Sequence, residues 1–147
     1  MQPLTLDTGR PVVQAIAGAV DADALRRELE HAVSGEVRFD AVSRALYSTD
    51  ASVYQIHPLG VVVPRTREDI VRIVQICAKQ RCPLTMRGGG TSQAGQAIGA
   101  GLQVDTTKYC NRILEVNAGE RWARVEPGIV LDELNAALKP HGLRFAP

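Results

Sequence analysis

Residues 83–96 carry the densest chemistry in the sequence: Pro83-Leu84-Thr85-Met86-Arg87-Gly88-Gly89-Gly90-Thr91-Ser92-Gln93-Ala94-Gly95-Gln96. A short apolar run opens into three consecutive glycines, then two hydroxyls, a fourth glycine and an amide. Residues without Cβ have nothing to pack, so the strand cannot continue through them. Glycine reaches left-handed dihedrals cheaply, and successive N–H groups can then turn inward as a concave nest for an anion. Thr91 and Ser92 add hydroxyl donors. Arg87 stands at the entrance and either gives its charge to that anion or packs its stem and pairs elsewhere. A phosphate or pyrophosphate is the guest that suits such a loop.

Three better-known glycine motifs do not fit. Gly90 and Gly95 have the Walker spacing, but Gln96 stands where the lysine must be. Gly88 and Gly90 begin a dinucleotide fingerprint, but Gln93 holds its last position. Gly90-Thr91-Ser92-Gln93-Ala94 nearly meets the hydrolase elbow, and Asp132 and His141 follow Ser92 in the right order for a triad. That elbow must run straight into a helix, whereas the glycine-rich stretch Ala94 to Gly101 makes a poor one. A serine hydrolase using Ser92, a non-catalytic nucleotide-binding or interaction module, and a bare strand-to-strand turn stay as alternatives.

The elements around the loop read as an α+β chain. Gly60-Val61-Val62-Val63-Pro64 is a β-branched run ended by proline, a buried strand. Thr66-Arg67-Glu68-Asp69 is a capping box, with Thr66 as cap and Asp69 at the third helical position. It launches a helix through Gln80, with Ile70, Ile73, Val74 and Cys77 on one side. Pro83 then starts the strand into the glycine loop. This is a β-α-β unit, and it puts the loop at the carboxyl end of its second strand, where open α/β sheets bind ligands. Residues 101–106 form another strand, with Leu102 and Val104 on one face. Residues 111–117 and 121–126 form a hairpin around Asn117-Ala118-Gly119-Glu120, with Trp122 a half-buried hairpin residue. Pro127-Gly128 ends it, and residues 130–139 form a helix stopped by Pro140 and Gly142. Upstream, Asp21 caps a helix over 21–33, residues 37–39 form a short strand, and 40–50 form a short helix and loop. Residues 1 to about 20 read as an arm.

Composition narrows the classes. The 147 residues are 45% hydrophobic and 22% charged, ordinary for one globular domain. A net charge of +1 gives no global case for nucleic acid. No apolar run approaches the ~20 residues that span a bilayer, and the N-terminus shows no secretory pattern. Cys77, Cys82 and Cys110 lack metal or disulfide spacing, which suits a cytoplasmic location. His31, His57 and His141 are far apart and have no metal-ligand spacing.

Arg87 to Ser92, followed by Ala94-Gly95-Gln96, resembles the FAD-binding loop of the vanillyl-alcohol oxidase-like (PCMH-type) flavoproteins, which include D-lactate and glycolate dehydrogenases. Residues 45–147 also keep that family's order: strand ending in Pro, capped helix, strand, Arg-Gly-Gly-Gly-Thr-Ser, strand with Asp, Asn-Arg-Ile hairpin, Pro-Gly, helix, Gly-Leu. Tyr47-Ser48-Thr49-Asp50-Ala51-Ser52 resembles the segment before that domain; read by itself it is a polar surface loop. The resemblance implies an arm and helix over 1–44 and the N-terminal portion of a PCMH-type FAD-binding domain over 45–147. It implies FAD held non-covalently, since Thr91 stands where relatives that tether FAD often carry histidine. The cofactor would contact Arg87, Gly88, Gly89, Gly90, Thr91, Ser92, Gly95, Gln96 and Gly128. The implied activity is flavin-dependent oxidation of a 2-hydroxy acid such as D-lactate or glycolate, in the cytoplasm or peripheral to the inner membrane. In the family, Leu143 to Pro147 falls mid-domain. A further FAD-contacting segment and the catalytic groups are expected beyond it, and no catalytic residue is assigned. Thr91 to Gln96 is closest to large oxidoreductases with an iron–sulfur domain behind the FAD domain, so any cluster would lie in that missing region. A partial domain leaves apolar surface and a sheet edge bare, which predicts self-association.

Overall fold

Residues 20–146 are described in a computed structural model of the chain. The arm expected over residues 1 to about 20 lies almost wholly outside them. Helix α1 (Ala22–Ala32) starts where Asp21 accepts the N–H groups of Asp23 and Ala24 at 3.1 and 3.0 Å. This side-chain cap replaces helical partners that the first turn lacks. Leu25 and Leu29, one turn apart, are fully buried. Strand β1 (Glu36–Arg38) and helix α2 (Ala41–Leu46) follow, the latter capped by Asp40 accepting from Ser43 N–H at 2.8 Å.

Strand β2 (Gly60–Val63) leads to helix α3 (Arg67–Lys79), strand β3 (Leu84–Arg87) and strand β4 (Leu102–Asp105). Thr66 caps α3, its hydroxyl accepting from Asp69 N–H at 3.1 Å. The Asp69 carboxylate closes the box differently from expectation: it accepts from Arg65 N–H, Ser34 N–H and the Ser34 hydroxyl at 3.0, 2.9 and 2.8 Å. Burial pushes this carboxyl up, but those hydrogen bonds outweigh it and hold it below its ordinary range. Asp69 therefore ties α3 to the turn after α1.

The four strands form one sheet in the order β1-β2-β4-β3, with β1 antiparallel and the other three parallel. The expected β-α-β crossover is present, but β4 inserts between its two strands. A central strand is covered on both faces. Hence β4 is buried at every position, including Gln103 and Asp105, where its alternating residues suggested one buried face. Leu102 and Val104 join Leu25, Leu29, Val62, Ile73, Ile76 and Cys77 in the core between the sheet and helices α1 and α3. Val74, expected in that core, is 44% exposed, because α3 docks through Asp69, Ile73, Ile76 and Cys77 instead.

Strands β5 (Ile113–Asn117) and β6 (Trp122–Val125) make the expected hairpin as a separate two-stranded sheet. The left-handed residue of its turn is Arg121 (φ 59°), while Gly119 keeps out of that region. Asn117 closes the turn by accepting from Glu120 N–H at 3.0 Å. Trp122 is 37% exposed and donates its indole N–H to Glu120 at 2.7 Å. Helix α4 (Leu131–Leu138) runs into a single 3-10 turn at Lys139–His141, and Gly142 (φ 66°) ends it. A cleft of about 780 Å³ lies between hairpin and α4, with Trp122, Ile129, Leu134, Leu138 and Phe145 among its lining residues.

Candidate functional site: the loop after β3

The loop begins where β3 ends, at Arg87. Its residues divide by why they are glycine. A Cβ on Gly88 would meet nothing within 4 Å, and one on Gly89 would meet only the Thr91 methyl at 3.6 Å. Neither lies in the left-handed region. The protein's own packing therefore gives no reason for two bare positions in a row. A third body that comes close to the backbone would supply the reason. Gly90 (φ 68°) and Gly95 (φ 78°) need glycine for conformation as well. Gly90 also lies under the Arg87 guanidinium and Gly95 against the Tyr54 ring, where a Cβ would fall 2.3 and 3.0 Å away.

Gly88, Gly89, Thr91 and Gln96 are exposed, so the first half of the loop presents backbone and a hydroxyl to solvent. Ser92 works within the loop. Its hydroxyl donates to the Gln96 side-chain oxygen and accepts from the N–H groups of Ala94 and Gln96 at 3.2 and 3.3 Å. It thus pins the return of the loop over residues 92–96. Among the described residues no hydrogen bond joins Ser92 to Asp132 or His141, which lie on α4 and the turn after it.

Arg87 points back into the protein. Its Nη1 donates to the backbone oxygens of Thr49 and Ala97 at 2.9 and 3.1 Å, and its guanidinium carbon sits 5.2 Å from the Tyr47 ring centroid. The segment before β2 forms the opposite wall. Ala51 N–H donates to Gly90 O at 3.0 Å, and Asp50 accepts from Ala97 N–H at 3.3 Å and Ser52 N–H at 2.9 Å. The Ser52 hydrogen bonds, with Ala97 N–H and the nearby Arg87 charge, hold the Asp50 carboxyl below its ordinary range. The Tyr47 hydroxyl donates to Asp105 at the end of β4. Burial and then that bond push the Tyr47 phenol up to about 12.

Gln103 completes the floor. With its amide oriented to satisfy both partners, it donates to Ala97 O and accepts from Gly99 N–H, each at 3.2 Å. Gly128 lies apart from the loop, one contact away from Arg87. A Cβ there would fall 2.2 Å from Thr106 O, and Thr106 N–H donates to Arg87 O at 3.1 Å. Close packing accounts for Gly128 without a ligand. The residues that spacing did not disclose are Thr49, Asp50, Tyr54, Ala97 and Asp105. The signals were the resemblance of residues 47–52 and of the strand with Asp105 to family segments, and they did not show that these residues meet around the loop.

The loop is thus an open strip of backbone on a braced frame, bare at Gly88 and Gly89. The chain matches the FAD binding domain family over residues 58–147. It is 45% identical over 116 residues to the D-2-hydroxyglutarate dehydrogenase of Pseudomonas putida, which covers 77% of this chain and 12% of the dehydrogenase. A glycolate oxidase subunit from Bacillus subtilis is 36% identical over 119 residues, covering 78% of this chain and 25% of the subunit. The solved structure of p-cresol methylhydroxylase with substrate bound superposes with a TM-score of 0.69, covering 82% of this chain and 25% of its own at 18% identity, a likeness of fold. With the matched region taking in the second strand, the capped helix, the glycine loop and the hairpin, this chain belongs to the FAD binding domain family.

Proposed function

We propose that this chain is the FAD-binding portion of a flavin-dependent oxidoreductase that oxidises a small 2-hydroxy acid, such as D-lactate or glycolate. The observation that carries the reading is the pair Gly88 and Gly89, bare where no neighbour requires it. In this reading the N–H groups of Gly88 to Ser92 and the Thr91 hydroxyl bind the FAD pyrophosphate non-covalently. Gly90 and Gly95 supply the turns, and Ser92 with Gln96 holds the loop's return. Arg87 stands behind the cradle, and Gly128 shapes the loop after β4 beside it. When bound, the flavin supplies the redox step by accepting the hydride of the substrate carbinol; the protein supplies position and electrostatics. The substrate class rests on the names of the relatives, of which the chain spans 12–25%. No catalytic group is assigned among these 147 residues.

We place the protein in the cytoplasm or peripheral to the inner membrane; no helix among the described residues is long and apolar enough to cross one. Residues 45–147 carry the cofactor site in this reading, and residues 1–44 lend a helix and an edge strand to its frame. The cleft beside α4 favours self-association, which light scattering at rising concentration reads; a monomer throughout would remove it.

The test is an FAD titration by flavin fluorescence, with Gly89→Asp as control. It is run on this chain and on this chain joined to the remaining length of the Pseudomonas putida dehydrogenase. Saturable binding lost in the variant supports the reading. Binding only in the joined protein keeps it and shows that the remaining length completes the site. Colourless protein in both forms overturns it.

A further inference from the structure

Four stretches of chain meet at one side chain beneath the glycine loop. Arg87 closes β3 and pairs in register with Asp105 of β4. Its guanidinium bridges the backbone oxygens of Thr49 on one wall of the cradle and Ala97 on the other. It lies over the Tyr47 ring and under Gly90. The Tyr47 hydroxyl is held by Asp105, whose other oxygen accepts from Thr107 N–H and hydroxyl at 2.8 and 2.6 Å. The chain of contacts runs unbroken from residue 107 through 105, 47 and 87 to 49 and 97.

Both carbonyls are met by one nitrogen, Nη1, while the planar guanidinium lies on the Tyr47 ring; an ammonium is a point charge on a flexible stem and offers no plane to fix that stacked geometry. Resting on the FAD-binding reading, we propose that Arg87 is a positioning residue. With Tyr47 and Asp105 it braces the two walls, fixes the spacing of the amides from Gly88 to Ser92, and so sets FAD affinity through the loop's shape. It does not act as a direct ion pair to the pyrophosphate.

The two roles differ in what lysine can do. A direct charge contact tolerates Arg87→Lys and weakens as salt rises. A brace does not tolerate it. The first readout needs no cofactor: hydrogen exchange in the full chain at the N–H groups of Ala51 and Ala97, which bond to Gly90 and Asp50 across the cradle. Expected is exchange faster by roughly tenfold or more in both Arg87→Lys and Arg87→Gln, with Val62 and Val104 unchanged. Tyr47→Phe, which keeps the ring and removes only the hydroxyl, gives a smaller shift in the same direction and carries the test if the Arg87 variants do not fold. The second readout is FAD affinity by titration. Arg87→Lys loses as much as Arg87→Gln, about tenfold or more, and adding Tyr47→Phe to Arg87→Gln costs little further, as one unit requires. Wild-type exchange in Arg87→Lys and Tyr47→Phe overturns the brace. So does near-normal FAD affinity in Arg87→Lys beside a salt-sensitive loss in Arg87→Gln. If no form binds FAD, the function proposed above fails and the exchange data alone decide the brace.

Discussion

The two ends of the β3–β4 connection use glycine for opposite reasons. At its start, Gly88 and Gly89 face open space. At its end, a Cβ on Gly99 would fall 2.4 Å from the Thr85 hydroxyl, and one on Gly101 would fall 1.9 Å from Pro83 O. The closed end is a structural weld. Leu102 N–H donates to Pro83 O at 2.8 Å, and Gln103 holds Ala97 and Gly99 from below. The open end is bare outward and braced only from behind. A glycine run by itself does not mark a binding loop. The informative glycine is the one whose bareness the protein does not use.

Three measurements would break or sharpen that contrast. The largest effect is expected at the weld. Gly101→Ala puts a methyl into a backbone oxygen that cannot rotate away, and should cost about 3 kcal/mol or more, read as a collapse of the thermal midpoint. Next is Gln103→Leu, which leaves Ala97 O and Gly99 N–H without their buried partner. It should cost roughly 1–3 kcal/mol by denaturant titration and loosen residues 97–99 in hydrogen exchange. The smallest stability effect belongs to Gly88→Ala. Its methyl meets nothing, so stability should change by under about 1 kcal/mol, while FAD binding is lost. An unfolded Gly88→Ala, or a Gly101→Ala as stable as the parent, would erase the distinction.

Short-range features were legible. Asp21, Asp40 and Thr66 sit two or three residues from the N–H groups they cap, so helix starts followed from nearby residue types. The hairpin and the end of α4 at Gly142 were equally local. The proposal of an anion at residues 88–92 came from residue type alone, because successive bare amides and hydroxyls are the donors such a guest would need.

What the sequence could not determine depends on partners distant along the chain. The place of β4 between β2 and β3 is a matter of strand order, and it decides that Gln103 and Asp105 are buried. Which side of α3 faces the core turned on how the helix docks: the apolar spacing pointed to Val74, and Ile76 is buried instead. Tyr47 meets Asp105 across 58 residues, and Arg87 meets Thr49 across 38. No spacing rule reaches that far, because such contacts exist only once the sheet has set which strand ends lie side by side. Residue types by themselves proposed an anion at this loop. The tertiary structure decided which glycines are open to it and which side chains hold the cradle.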